Sequence, residues 1–271
     1  MTLPVALSIA GVDSSGGAGV TADLATFGAL GVWGTCAITA VTAQNSLGVD
    51  TIESMSADIV VAQIGAVCGD MDVRAVKTGM LGSPEMVQTV VDALPFGIPL
   101  VVDPVMVATT GAQLFSASNR ATGTQFDAKN DWARLLARAT IVTPNAYEAE
   151  AFTGFAVTDE DAMVRAARAL LEHGCESVLV KGGHVGQRLA RDCLILQGQA
   201  GPIWLESPRI DTADTHGTGC VLSAAIAARL ALGHSIADAC QRAKDVVTNA
   251  IRNRVSLGKG VGAVNPRGRL R

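Results

Sequence analysis

The sequence predicts an α/β protein of one domain, with a mostly parallel sheet held between two layers of helices. Two observations carry that expectation. Short β-branched runs alternate with longer helical segments along the chain, and 49% of the 271 residues are hydrophobic while 17% are charged and only 4% aromatic. Aliphatic runs of this kind build sheets covered on both faces. The repeated strand–helix order makes neighbouring strands parallel, since a helical crossover returns the chain in the same direction.

A first strand is expected over Pro4–Ala10, followed by a glycine-rich turn and a helix from Val20 to Leu30. Further strands are expected near Thr35–Val41, Arg74–Lys77, Leu100–Asp103, Ile141–Thr143 and Ser177–Lys181. Helices fit Ala57–Val67, Pro84–Leu94, Asp131–Arg138, Asp159–His173, Thr218–Leu232 and Ile236–Asn253. Within Asp159–His173, for example, Ala162, Val164, Ala166, Ala169, Leu170 and Leu171 recur near helical spacing. The segment Phe115–Asn130 is polar and turn-rich and reads as a surface excursion with no function of its own. After Asp245 the chain carries six basic residues (Arg252, Arg254, Lys259, Arg267, Arg269, Arg271) and no acid. The functional reading of this tail is contact with nucleotide phosphates; for the last five residues a solvated end is the expectation, with loose order from about residue 255. No repeat or linker divides the 1–271 chain.

A net charge of −4 gives no bulk attraction to nucleic acid or to an anionic membrane. The apolar stretch Leu3–Val12 has no basic residue near it, the first being Arg74, so it lacks the pattern of an export signal. The run Gly219–Gly233 is too short to span a bilayer and carries Arg229. Both read as core. Cys36, Cys68, Cys175, Cys193, Cys220 and Cys240 form no CxxC pair and no metal-ligand spacing. Reduced thiols, a cytoplasmic location and small-molecule chemistry are the expectation.

Three constellations carry chemistry. The first is Asp214-Thr-His-Gly-Thr-Gly-Cys220 leading into an apolar helix. Glycines at 217 and 219 free the backbone to turn, and the helix start presents unpaired N–H groups and a positive dipole end, a setting for phosphate. A glycine pair before a helix is common, so this signal is weak alone. The second is Gly16-Gly-Ala-Gly19 after the first strand, which reads as a loop that lets a small substrate approach the backbone. A dinucleotide turn fits poorly there, because Gly11-Val-Asp-Ser-Ser-Gly16 lacks the second glycine two positions on; no Walker-type motif exists. The third is a set of polar groups at strand ends: Asp103, Asn145, Glu148 and Lys181. Open α/β sheets bind ligands beyond these ends, and Mg2+ needs only one or two carboxylates plus phosphates. Each residue alone could equally be a cap or a solvated turn.

Taken together, the motifs resemble the hydroxymethylpyrimidine/phosphomethylpyrimidine kinases of thiamine biosynthesis, within the ribokinase-like superfamily. The matching pieces are Ile9-Ala-Gly-Val-Asp-Ser-Ser-Gly-Gly-Ala-Gly19, Ala22-Asp-Leu24, Thr39-Ala-Val-Thr-Ala-Gln-Asn45 and Lys77-Thr-Gly-Met-Leu81. They continue with Asp103-Pro-Val-Met106, Thr143-Pro-Asn145 with Glu148, Lys181-Gly-Gly-His184 and His216-Gly-Thr-Gly-Cys220, in the family's order. The resemblance implies a ribokinase-like fold and transfer of phosphoryl from ATP to 4-amino-5-hydroxymethyl-2-methylpyrimidine, then to its monophosphate. It implies Gln44 as pyrimidine reader, with Asp23, Gly11, Met80 and Val107 lining the same pocket. Gly217, Thr218 and Gly219 become the anion hole, with Cys220 facing the substrate hydroxyl. Asn145, Lys181 and Thr218 fall on the nucleotide, and Asp103 and Glu148 on Mg2+; a monovalent-cation requirement stays open. A homodimer is implied as well. At a helix start the Cys220 thiol gains less than about one pKa unit, so it is expected to assist rather than act as the dominant base.

The chain departs from the pattern in Phe115–Asn130 and at Val261 and Pro266, where the family generally has histidine. These departures are expected to bear on nucleotide-side contacts and not on the pyrimidine pocket. The rival readings are a pyridoxal or pyridoxine kinase, a non-catalytic pyrimidine-binding relative, and a cysteine hydrolase with Cys220 as nucleophile.

Overall fold

The computed structural model describes residues 3–107, 111, 114–115, 127–183 and 189–268. The chain runs β1 (Val5–Asp13), α1 (Gly19–Ala29), β2 (Trp33–Asn45), β3 (Gly48–Ser54), α2 (Ala57–Asp70), β4 (Val73–Thr78), α3 (Pro84–Ala93) and β5 (Leu100–Val102). It continues through α4 (Ala128–Asp131), α5 (Ala133–Leu136), β6 (Ile141–Val142), α6 (Ala146–Thr153), α7 (Glu160–Leu171) and β7 (Ser177–Val180). An antiparallel pair, β8 (Leu189–Leu196) and β9 (Ile203–Pro208), precedes α8 (Thr218–Ala231) and α9 (Ile236–Arg252).

One sheet carries the order β3-β2-β1-β4-β5-β6-β7-β8-β9. The six central strands are parallel, while β3 and the β8–β9 pair are antiparallel additions at the two edges. Successive residues of the central strands serve opposite faces. Leu7, Ile9, Val76, Val102 and Val178 join one core, and Ala6, Ala75, Val101, Ile141 and Leu179 join the other. The second core packs on α8, whose Ala224, Ala225 and Ala228 are fully buried, so a small-residue face lies close against the sheet. This is the expected three-layer α/β/α arrangement.

Local chemistry explains where several helices begin. Ser56, Ser83, Asp159 and Ser235 each accept a backbone N–H in the first turn of α2, α3, α7 and α9. Asn145 and Glu148 form a reciprocal capping box at α6, which ends on left-handed Gly154. By contrast, α8 starts at left-handed Gly217 with no side-chain cap.

Several expectations need correction. β1 and β2 run further than their apolar cores, to Asp13 and Asn45. The helix expected at Asp131–Arg138 is two short turns, α4 and α5, broken at buried Trp132. Phe115 is not a surface residue: it is 6% exposed, and its ring lies 5.6 Å from that of Trp132. Residues 116–126 of that segment lie outside the described ones, as does His184. The tail is not loose as far as Gly268. Val255 and Ala263 exchange both backbone hydrogen bonds, His216 and Val264 are joined by another, and Val264 is buried. Arg269 and Arg271 lie outside the described residues.

Candidate active site

The parallel strands end on one side of the sheet, where a cleft of about 890 Å3 opens. Twelve of the thirteen residues singled out in the sequence line it: Gly11, Gln44, Met80, Asp103, Val107, Asn145, Glu148, Lys181, Gly217, Thr218, Gly219 and Cys220. They come from six strand ends and one helix start. That convergence follows from the topology, because the strand order reverses direction at β1 and opens a crevice there.

Asp23 is the exception and a correction. It is fully buried on α1, outside the cleft lining, and its carboxylate takes the Lys77 ammonium at 2.8 and 3.0 Å and the Ser8 hydroxyl at 2.6 Å. A one-to-one ion pair under the floor replaces the expected substrate contact. Burial penalises the Lys77 ammonium, but Asp23 and Asp103 outweigh that penalty and keep it protonated.

On the β1–β2 side, Gly11 sits beneath Met80; a Cβ there would lie 3.0 Å from the Met80 sulfur. The Met80 carbonyl is held by the Gly11 amide and the Thr39 hydroxyl. Gln44 projects at the end of β2, half-buried, between Thr42 and His216. The glycine-rich loop has a packing role beside the substrate approach expected of it. A side chain at Gly17 would strike the His216 ring, and one at Gly217 would collide with the Gly17 carbonyl oxygen. These glycines let the 13–19 loop and the 214–219 turn lock together; Ala18 and Gly19 alone among residues 16–19 reach the cleft. Asp13 clasps the two, accepting from Ser15 and Ala18 in its own loop and from His216 Nε2 at 2.8 Å. Burial alone would raise the Asp13 carboxyl, but the His216 and Ser15 bonds bring it below the usual carboxylate range.

The opposite wall is charged. Lys181 Nζ lies 2.8 Å from Asp103 Oδ1 and 3.8 Å from Glu148 Oε2. The Ser223 hydroxyl donates to Asp103 Oδ2 at 3.0 Å and also faces the Gly219 carbonyl, tying the carboxylate to the first turn of α8. A Cβ on Gly219 would stand 3.3 Å from Lys181 Nζ, so the ammonium rests directly against the uncapped helix start. Burial favours the neutral form of Asp103, yet Lys181 and Lys77 prevail and hold it ionised. Glu148 fares differently: burial and the Asp103 charge push it up to about 7 despite Lys181. Two carboxylates therefore share one ammonium at the rim. The Cys220 thiol is raised to about 11, chiefly by burial, with Lys77 opposing, so it is neutral near pH 7.

Two groups at the cleft carry no local sequence signal. Asp192 on β8 and Lys244 on α9 form a buried ion pair of 2.7 Å across 52 residues, and Asp192 also takes the Gly182 amide next to Lys181. Asp13 and His216 do stand inside quoted motifs, but only the fold reveals their bond. The departure at Val261 also reaches the Gln44 side: Val261 lines the cleft, and its amide binds the Ser46 carbonyl. All six cysteines are free, and no helix among the described residues is long and apolar enough to cross a membrane.

Residues 13–265 match the family model described as phosphomethylpyrimidine kinase. A hydroxymethylpyrimidine/phosphomethylpyrimidine kinase of Rhizobium meliloti is 47% identical over 265 residues, covering 96% of each chain. Among solved structures, a phosphomethylpyrimidine kinase from Clostridium difficile is 40% identical with a TM-score of 0.75, covering 91% of this chain and 99% of that one. An ADP complex of Bacillus subtilis pyridoxal kinase, 31% identical, superposes with a TM-score of 0.86 over 98% of both chains. With residues 13–265 matching that model and a relative 47% identical over 96% of this chain, the chain belongs to the phosphomethylpyrimidine kinase family.

Proposed function

We propose that the cleft transfers the γ-phosphoryl group of ATP to the hydroxymethyl oxygen of 4-amino-5-hydroxymethyl-2-methylpyrimidine, and a second one to the resulting monophosphate. The observation that carries this reading is the meeting of Gln44, the 217–219 turn and the Lys181–Asp103–Glu148 cluster in one cleft. Gln44 reads the ring, since a carboxamide offers an acceptor to the exocyclic amine and a donor to the adjacent ring nitrogen. Gly11, Met80 and Val107 supply the wall around it.

The transferring phosphoryl group sits before α8, where the amides of Gly219 and Cys220 and the helix dipole oppose its charge. Lys181, pressed against that helix start, adds a point charge and bridges toward the nucleotide with Asn145 and Thr218. A loose phosphoryl transition state needs little early proton removal. With its thiol raised to about 11, Cys220 contacts the substrate hydroxyl as a neutral group rather than as its base.

The rim also fits a divalent cation. Asp103 and Glu148 share the single Lys181 ammonium, and oxygen donors of this kind suit Mg2+ held partly through water. Bound there, Mg2+ would neutralise phosphate charge during transfer. Mg2+ placement is tested by titrating the metal against wild-type protein and Glu148→Gln.

Pyridoxal kinase is the competing activity, favoured by the shape match but not by identity, which is 47% and 40% to pyrimidine kinases against 31%. A coupled assay of ATP consumption with the pyrimidine alcohol, its monophosphate and pyridoxal, each alone, separates them. Turnover of pyridoxal without turnover of the pyrimidine would sink the leading assignment. The same reading carries a homodimer, for which the outer edge of β3 and exposed Val41, Leu47 and Ile52 offer a surface. Light scattering on the eluting protein checks it, a monomer mass being the contrary result.

A further inference from the structure

The start of α8 carries no side-chain cap of its own. Ser56, Ser83, Asp159 and Ser235 hold the first turns of α2, α3, α7 and α9, whereas α8 opens at Gly217. Besides the Asp13 bond to the His216 ring, its seat comes from residues far along the chain. The His216 amide donates to the Gly262 carbonyl at 3.2 Å, and the His216 carbonyl accepts from the Val264 amide at 3.0 Å. Gly262 and Val264 belong to no helix or strand, so another group must keep them in place.

Asp214 is that group. Its Oδ1 accepts from the Gly262 amide at 2.7 Å and its Oδ2 from the Ser256 hydroxyl at 2.8 Å. Each donor gives its one hydrogen to this carboxylate, and the two bonds bring the Asp214 carboxyl below the usual range. Ser256 and Gly262 flank the Val255–Ala263 bridge, so the carboxylate closes the neck of a loop over residues 256–262. Glycine is required at 262, where a Cβ would stand 2.6 Å from the Asp214 carboxyl carbon. The far side of the loop rests on Ser46, two residues beyond Gln44. There the Gly260 amide donates to the Ser46 hydroxyl oxygen and the Val261 amide to the Ser46 carbonyl, each at 3.0 Å. Side chains at Gly258 or Gly260 would strike Ser46. Val261 lines the cleft, and Asp214 itself does not.

We propose that Asp214 is a positioning residue for phosphoryl transfer: by closing the 256–262 loop it holds the 217–219 turn in line with the ring site bordered by Gln44. The proposal rests on the reading of that turn as the phosphoryl site. The carboxylate touches neither reactant, and its effect is on alignment. Attacking oxygen and phosphorus must meet at near-attack distance, and a small displacement of one site against the other is costly in rate. Affinity is set mainly by other groups, Gln44 for the ring and Lys181 with Asn145 for the nucleotide, so the loss falls on kcat. Hydrogen bonds carry the effect rather than charge, because Arg254 Nε stays 3.7 Å from the carboxylate.

The test measures steady-state phosphorylation of the pyrimidine alcohol by wild-type protein, Asp214→Ala, Asp214→Asn, Ser256→Ala and Gly219→Pro, with melting curves as the check on folding. Asp214→Ala is expected to lower kcat about tenfold, while KM for ATP and for the pyrimidine each change less than about threefold. Asp214→Asn keeps an oxygen for the Gly262 amide and offers its NH2 to the Ser256 oxygen, so it recovers kcat to within about twofold of wild type. Ser256→Ala, which frees one of the two carboxylate oxygens, lowers kcat about threefold and decides the matter if the Asp214→Ala protein does not fold. An unchanged kcat in folded Asp214→Ala, or in Ser256→Ala where that variant decides, overturns the proposal. So does an asparagine variant no better than alanine, or a loss that falls on KM with kcat kept. If Gly219→Pro turns over at the wild-type rate, the turn is not the phosphoryl site and the assignment of the cleft fails with it. Full kcat in Asp214→Ala beside an inactive Gly219→Pro overturns the role of Asp214 alone.

Discussion

Of the three lysine–aspartate pairs described at the cleft, two share a closest approach of 2.8 Å, Lys77–Asp23 below it and Lys181–Asp103 beside it, and they do opposite work. Lys77 and Asp23 are sealed, with no exposure on either side chain, and their charges match one for one. Lys181 keeps 14% of its side chain accessible, faces the start of α8, and is shared by a second carboxylate. The first pair has no valence left to offer a ligand, whereas the second is charge-unbalanced and open. Geometry of the bond does not separate structure from chemistry here; the balance of charge and the access of solvent do. A buried matched pair costs more to break than it contributes when whole.

Breaking the sealed pair should give the largest effect. Lys77→Met is expected to lower stability by about 3–5 kcal/mol through the uncompensated Asp23, read from the urea midpoint. Adding Asp23→Leu should recover most of that loss; failure to recover would return Asp23 to the functional site. Lys181→Met should leave the fold close to intact and reduce kcat by on the order of 10^2–10^3, the scale of losing one pre-organised charge stabiliser. Equal damage to stability and turnover in that variant would erase the distinction between the pairs.

The third expectation concerns pH. Glu148 is raised from 4.5 to about 7, so the folded protein holds a proton there that the unfolded chain has released. Its contribution to stability is therefore full below 4.5 and is lost as pH rises through about 7. Glu148→Gln should flatten the fall in melting temperature across that window; an identical slope in both proteins would contradict the assignment. The smallest effect is expected at Cys220. Cys220→Ser should cost less than about tenfold in kcat, because a neutral thiol is replaced by another neutral group, whereas Gly219→Pro should abolish most turnover by disturbing the helix start. An inactive but folded serine variant that still binds both ligands would make the thiol the essential base.

The same comparison shows what sequence could reveal. The central strands were legible because burial on both faces makes them uninterrupted aliphatic runs, as in Leu100–Val102. β3 was not, since Gly48–Ser54 is almost wholly exposed and polar, and β8 with β9 hides behind Arg191, Asp192 and Glu206. Among site residues, the glycine turn and Lys181 stand out because each follows a strand or begins a helix. Asp23 was misplaced because its partner Lys77 lies 54 residues away, and nothing local marks a carboxylate as already paired. Asp192 and Lys244 escaped for the same reason. Long-range charge matching is written in the fold, not in the neighbourhood of each residue.

Residues 255–264 reach back both to Ser46 beyond Gln44 and to His216 at the phosphate turn. Asp214 strengthens that clasp by holding the Ser256 hydroxyl and the Gly262 amide. One stretch of backbone therefore braces both sides of the cleft at once, so a disturbance at either contact is carried to the other.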